Sequence, residues 1–564
     1  MSNRLQQMAA NVAPPSARSK PIRVRVLAFG FALAFIAVTT RVGILSASGL
    51  DAGSGVRNQE TATAQPILRD VNGDILARTL PSYSLAADPK MVLDPAETAR
   101  LLKRVLPKID VAKLTERLDS DRRFIWVARH LTPTQSQSIH HLGLPGLSFR
   151  NEGKRVYMQG RAMSHVLGFR GIDGNGLAGL EAYIDESGIG EEAAAADGFV
   201  DLTLDGRLQH VLRNQLAQGM TEFGAKAAAG VVLHLPTGGI SAMVSLPDFD
   251  PYGGFRKKDA PLFNHASKGT YELGSIFKIL NTAIALESGT AKLGDRFDAS
   301  KPLRMTRFTI RDFHPQNRWL TVAEAFKYSS NIASAEIAMK MGEATQQQYF
   351  GDLGLLDRPS LELVEVGTPL VPPRWSQTAS ATISFGHGIS VSPVQMASAV
   401  AAAIHDGVYR PPTLLKSVAE QADRGEQVFS PETTDAMRRL LRVVVTEGTG
   451  KRAEVDGYLP GGKTGTAELA VNGRYDSDRL VSSFVAGFPI HSPEYVVLVT
   501  LIEPQGNEET HNFRTAGWVA APIVSRVIEH MAPLLGIVPV DHEDPVIQQA
   551  MYINPKYLPE VARQ

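Results

Sequence analysis

Cysteine is absent from all 564 residues. That excludes disulfides, thiolate metal sites and cysteine nucleophiles, and it suits a compartment where stray thiols would oxidise. Net charge is absent too. The 58 Lys and Arg balance 58 Asp and Glu, so no global field draws the chain to nucleic acid or another polyanion. No repeat of fixed period, no low-complexity tract and no separate His/Asp triad pattern is found. No acid stands before Asp51, whereas Arg4, Arg18, Lys20, Arg23 and Arg25 are basic.

What is present begins with an uncharged run, "VLAFGFALAFIAVTT" from Val26 to Thr40. It is shorter than the roughly 20 residues of a spanning helix, and Ser46 and Ser48 would suit signal cleavage. Apolar character resumes after Arg41 through Leu45, however, and an arginine near a helix end can snorkel to the interface. The expectation is a membrane anchor over 26–48 that follows a cytoplasmic tail, 1–25. The basic flank stays inside, so the bulk of the chain lies across the membrane. In a bacterium that is the periplasm.

Residues 49–64 are small and polar, as in a linker. "PILRDVNGDILARTLPSYSLAADP" alternates around Asn72-Gly73 like a hairpin. Residues 93–150 look helical and charged. "GFVDLTLDGRLQHVLRNQLAQGM" suggests a strand, a turn at Asp205-Gly206, and an amphipathic helix. Near residue 225 the texture changes. "AAAGVVLHLPTGGISAMVSLP" and "VSSFVAGFPIHSPEYVVLVTLIEP" each hold a strand pair, with a helix-rich stretch between them. The expected fold is α+β, an antiparallel sheet built from both ends of a domain with a helical subdomain inserted. The segment after Val540 is proline-interrupted and expected to be irregular.

Three stretches carry chemistry. In "YELGSIFKILNTAIALESG", Ser275 and Lys278 are one turn apart on a helix. A serine needs a neighbour to take its proton. A partly buried lysine at a helix N-terminus has a lowered pKa and can be that base. An ordinary helix with a snorkelling lysine has the same pattern. In "KYSSNIASAEIAMKMG", Ser329 and Asn331 can relay protons and hold an amide, or Ser and Asn can simply cap a helix. In "PGGKTGTAE", Lys463 and Thr464 offer donors to a carboxylate, and glycine lets a substrate backbone approach. A glycine-rich turn is the plainer alternative.

In this order the three are far more specific: S-x-x-K, S-x-N and K-T-G are the signature elements of penicillin-recognising serine enzymes. The chain resembles the class B penicillin-binding proteins, monofunctional peptidoglycan D,D-transpeptidases. "YELGSIFK" looks like the family's YEPGSTFK, and "YSSN" and "GGKTGTAE" like its second and third motifs. "SFGHGISVSPVQMASAVAAAIHDGVYRPP" matches a familiar transpeptidase segment, while "PILRDVNGDILA" and "GFRGIDGNGLAGLEAYID" resemble the N-terminal pedestal. The SSN motif and short loops look more like the septal division enzyme than the elongation enzyme. Leu273 replaces the usual proline, and Gln65 and Val71 stand where arginines are usual, which puts pedestal salt bridges in doubt.

The resemblance implies a pedestal (dimerisation-like) domain over 49–220, a transpeptidase domain over 221–540 and a tail over 541–564. Ser275 would attack the carbonyl between two terminal D-alanines, with Lys278 as base. Backbone N–H groups of Ser275 and Thr466 would form the oxyanion hole. Ser329 would relay a proton to the leaving D-alanine, and Asn331 would hold the substrate amide. Lys463, Thr464, Gly465 and Thr466 would make the substrate-binding strand. An amine of a second stem peptide would complete the cross-link, and β-lactams would acylate Ser275. No metal or organic cofactor is implied. No glycosyltransferase segment is recognised, so a membrane glycosyltransferase and divisome proteins are expected partners.

The competing functions are a D,D-carboxypeptidase, an elongation-type transpeptidase, a β-lactamase and a non-catalytic division scaffold. Glu336, the nearest acid after Asn331, is expected on the helix surface or in a local ion pair rather than over an ester. His387 is expected to be a structural loop histidine.

Overall fold

The computed structural model describes residues 29–30, 32–33, 35–36, 38–40 and 65–559, apart from 257, 306–307, 422–424 and 472–473. The expected cytoplasmic tail and linker, and most of the anchor, lie outside the described residues. Among those described, no helix is long and apolar enough to cross a membrane. The chain divides into two units between Ala64 and Gln65, and the second holds all the sheets.

The second unit opens with five strands: β1 (Ile67–Arg69), β2 (Ile75–Ala87), β3 (Ile125–Leu131), β4 (Leu147–Tyr157) and β5 (Phe199–Asp201). β2 pairs antiparallel with β1, β3 and β4, and β1 pairs parallel with β5. The Asn72-Gly73 turn joins β1 to β2, with the Asp70 carboxylate accepting from the Asn72 and Asp74 N–H groups at 2.9 Å each. The 93–150 segment departs from expectation. It holds α1 (Pro95–Val105), α2 (Val111–Leu118) and α3 (Pro133–His141), but also β3 and the start of β4. A sheet with one wet face carries charge much as a surface helix does.

The doubt over pedestal ion pairs is resolved by other residues. Gln65 accepts from Thr79 Oγ1 at 2.7 Å and donates to Gly174 O at 3.1 Å. Arg155 meets Glu181 at 2.6 Å, and Arg170 joins Glu181 to Asp185; the Glu181 side chain is fully buried. Glu181 lies on α4 (Gly179–Ser187). A carboxylate buried there is tolerable because two guanidinium groups meet it.

The larger domain is built on β6 (Ala227–His234), β7 (Gly239–Leu246), β8 (Gly461–Val471), β9 (Arg474–Phe488) and β10 (Tyr495–Ile502), in the order β8-β9-β10-β6-β7. All neighbours are antiparallel, and β8 lies at an edge. Strand alternation divides the side chains between two cores. Val232, Phe484, Val497 and Val499 pack with α5 (Gly206–Glu222) and the C-terminal helix Ala521–Leu534. Val231, Leu233, Val485 and Leu498 pack on the other side with α6 (Phe277–Glu287). α5 runs through the expected boundary at residue 220, and Leu208, Leu212 and Leu216 bury it in the sheet's own core.

Between the two halves of the sheet come α7 (Val322–Lys327), α8 (Asn331–Met341) and α9 (Pro431–Thr446). After α10 (Ala521–Leu534) the tail is not merely irregular. α11 (Pro545–Ala550) and a 3-10 turn, Pro555–Tyr557, lead to Leu558, which is 3% exposed.

Candidate active site

Ser275 stands in a 3-10 turn, Gly274–Ile276, just ahead of α6 rather than on the α-helix itself. Gly274 has φ +54°, and a Cβ there would fall 2.5 Å from Thr466 O and 3.0 Å from Thr466 N. The nucleophile turn thus lies backbone to backbone on the edge strand β8, which brings Ser275 and the Thr466 amide together. A Cβ at Gly386 would fall 2.2 Å from Gly274 O, and one at Gly465 would fall 2.1 Å from Leu273 O. Gly465 was expected to admit a substrate backbone; its open side instead admits the nucleophile turn.

Lys278 is the second residue of α6 and is 2% exposed, with buried residues on both sides. That rules out snorkelling. Its Nζ donates to Ser329 O at 2.5 Å, to Asn331 Oδ1 at 2.7 Å and to Ser329 Oγ at 3.1 Å. Burial, and then the charge of Lys463, push its pKa well below the ordinary lysine value, and Asp312 partly opposes them.

Ser329 owes its place to a helix end. α7 closes in a Schellman motif, with Ser329 N–H on Phe326 O at 3.2 Å and Ser330 N–H on Ala325 O at 2.9 Å. The motif's left-handed position usually takes glycine. Here it is Ser329, at φ +59°. Its hydroxyl lies between two lysines, 3.1 Å from Lys278 Nζ and 2.9 Å from Lys463 Nζ. Ser330 is the N-cap of α8, accepting from Ala333 N–H at 3.1 Å, so the capping role and the cleft role fall to adjacent serines.

Asp312 is the residue that sequence reasoning missed. Its carboxylate accepts from Ser330 Oγ at 2.8 Å, Asn331 N–H at 2.6 Å and Ile332 N–H at 3.0 Å. It therefore holds the positive end of α8, and with it Asn331, whose Nδ2 also donates to Arg311 O at 3.0 Å. The only signal in the sequence was an S-S-N at a helix start, which wants an anion; which acid supplies it is a tertiary fact.

Lys463 is fully buried on β8, and burial pushes its pKa down to about 7. The next outer residues are braced from behind: Thr464 Oγ1 pairs with Thr449 Oγ1 at 2.8 Å, and Thr466 Oγ1 accepts from Ala516 N–H at 3.0 Å. Glu336 accepts from Asp298 N–H at 3.0 Å, a local hydrogen bond rather than the ion pair considered. His387 lies by the turn: its Nε2 is 3.9 Å from Glu272 Oε2, and its ring is tilted against Tyr475. Glu272 accepts from Tyr475 OH and Gly388 N–H, which ties the 384–388 loop to the β8–β9 hairpin. Among the described residues, no group of three or more His, Asp or Glu side chains is placed to hold a metal.

Residues 228–529 match the penicillin binding protein transpeptidase domain, and residues 67–186 the penicillin-binding protein dimerisation domain. The chain is 37% identical to a probable peptidoglycan D,D-transpeptidase FtsI of Caulobacter vibrioides, over 92% of this chain and 89% of that one. It is 32% identical to a probable peptidoglycan D,D-transpeptidase PenA of Neisseria gonorrhoeae, over 86% and 87%. The fold is similar to that of a peptidoglycan synthetase from Bifidobacterium adolescentis, with a TM-score of 0.66 and 21% identity over 86% and 97% of the two chains.

Proposed function

The chain belongs to the class B penicillin-binding proteins, and from that premise we propose that Ser275 and Lys278 carry its acyl transfer and that it works at the division septum. It is a serine-type peptidoglycan D,D-transpeptidase, and β-lactams are its covalent inhibitors. One observation carries the assignment of roles: the Ser329 hydroxyl lies between two buried lysines.

A neutral lysine has two N–H bonds and one lone pair. The shortest contacts of Lys278, to Ser329 O and Asn331 Oδ1, use both N–H bonds. The lone pair is left for a hydroxyl proton. Lys278 takes the Ser275 proton as Oγ attacks the carbonyl between the D-alanines. The Ser275 and Thr466 N–H groups meet the developing oxyanion. As the C–N bond breaks, Ser329 passes its proton to the departing amine and recovers one from Lys278. Lys463, Thr464 and Thr466 hold the terminal carboxylate of the donor, and Asn331 its amide. An amine of a second stem peptide then attacks the ester. Its proton returns along the same path to Ser275, and a cross-link replaces the ester bond.

The periplasmic placement of residues 65–559, the anchor over 26–48, and a glycosyltransferase and divisome proteins as partners belong to the same proposal. The basic flank and the uncharged run from Val26 to Thr40 support the anchor and the placement. A fluorescent penicillin is the test. The wild type should be labelled stoichiometrically and Ser275→Ala not at all, with its melt unchanged. After free drug is removed, the adduct should last many minutes, because Glu336 is engaged with Asp298 rather than poised over the ester. Label that survives in Ser275→Ala would move the nucleophile elsewhere. Loss within seconds, with hydrolysed drug accumulating, would make the protein a β-lactamase.

A further inference from the structure

The tail docks beneath the helix that delivers Ser329. Thr321, the N-cap of α7, accepts from Glu324 N–H at 3.0 Å and donates its own hydroxyl proton to Tyr557 O at 2.6 Å. The first N–H groups of α7 are also held from the 293–295 loop, Val322 N–H by Asp295 O at 3.0 Å and Ala323 N–H by Leu293 O at 3.3 Å. The Tyr557 ring lies on that loop: a Cβ at Gly294 would be 2.9 Å from Tyr557 Cε1. Leu558 is buried beside it, and Arg439 of α9 donates to Ala550 O at 3.0 Å at the other end of the segment. α7 has only six residues, about 9 Å at 1.5 Å per residue. Its far end is the Schellman turn that holds Ser329.

We propose that residues 545–559 act as a strap that positions Ser329, with Tyr557 as the positioning residue that braces both the N-cap of α7 and the loop beneath it. This rests on the transpeptidase assignment above, in which Ser329 delivers the proton to the leaving group. A short, fully buried helix moves as a rigid piece, so release at its N-cap displaces its C-terminal turn. A displacement on the order of 1 Å is enough to cost about 10²-fold in rate.

The test exploits which bond breaks. Penicillin acylation opens a C–N bond, and the nitrogen needs the Ser329 proton. A thioester acyl donor also esterifies Ser275, but its thiolate leaves without a proton. In the full-length protein, Tyr557→Ala should slow penicillin acylation by at least about tenfold and thioester acylation several-fold less, since Lys278, the base for both donors, also rests on Ser329 O. Tyr557→Phe, which keeps the ring and the backbone carbonyl, should match the wild type. Tyr557→Leu is a milder displacement, for use if Tyr557→Ala fails to fold, and should show the same selectivity at smaller size. Unchanged penicillin acylation, or equal losses with both donors, would overturn the strap. A wild type that neither donor acylates would instead bring down the underlying assignment, and the strap with it.

Discussion

Burial and the Lys463 charge both disfavour the ammonium form of Lys278 and hold its pKa well below the ordinary lysine value. A base of depressed pKa is ready above that pKa and lost as pH falls through it. Penicillin acylation should therefore hold at alkaline pH and fall about tenfold per pH unit on an acid limb that lies well below the ordinary lysine value. Lys278→Arg keeps a cation that never yields its proton, so it should lose about 10²–10⁴ in acylation rate on the wild type's alkaline plateau and show no such acid limb. A rate profile of the wild type that breaks at the ordinary lysine value would deny Lys278 this role. Ser329 permits a separate measurement at the same scale. Both Ser329→Ala and Ser329→Gly remove the hydroxyl and should abolish cross-linking. Glycine alone relieves the left-handed backbone, so Ser329→Gly should be more stable than Ser329→Ala by ~1 kcal/mol in denaturant unfolding. Equal midpoints would mean the turn is unstrained.

At the scale of elements, α8 is placed by a loop carboxylate as well as by its own N-cap, Ser330. Asp312→Asn keeps the shape, but presents an NH₂ where an oxygen accepted and removes a charge from the helix N-terminus. Asn331 should then loosen, and Lys278 should lose an anion that raises its pKa. Penicillin acylation should fall by about tenfold at pH 7, and the acid limb of its pH profile should move to lower pH. A smaller rate with an unmoved limb would leave Asp312 a purely mechanical part. This contact also marks what the sequence could reveal. The motifs of Ser275, Ser329 and Lys463 were legible because their types and order are tied to one chemistry. Asp312 was not, because an acid in a loop reads the same whether it meets water or a helix. The strands β3 and β4 were mistaken for helix for a similar reason: few of their residues are buried, so alternation was faint. The two strand pairs of the larger sheet were plain, since both of their faces are apolar.

For the whole molecule, the fold separates what must be rigid from what carries it. The sheet and its two cores hold the site, and the Arg155–Glu181–Arg170 network ties the pedestal into one piece that begins at Gln65. The basic flank and the apolar run that follows it predict an uncleaved N-terminal anchor. N-terminal sequencing of the protein recovered from cells should return the start of the chain; a start near Gly49 would make the apolar run a removed signal peptide.

The three glycine contacts around the nucleophile turn bear on how this enzyme changes under antibiotic selection. At 274, 386 and 465 the nearest atom to an added Cβ is a backbone oxygen, which no side-chain exchange can move out of the way. Any Cβ there shifts Ser275 against Thr466, and the drug and the natural peptide lose the same oxyanion site together. Resistance through these positions would forfeit the enzyme's own reaction along with the drug's. Variants that keep the reaction must discriminate between the two ligands where they differ in shape, so they should collect among side chains that contact the site's own residues, such as Thr449 against Thr464 and Tyr475 against Glu272, and spare the glycines.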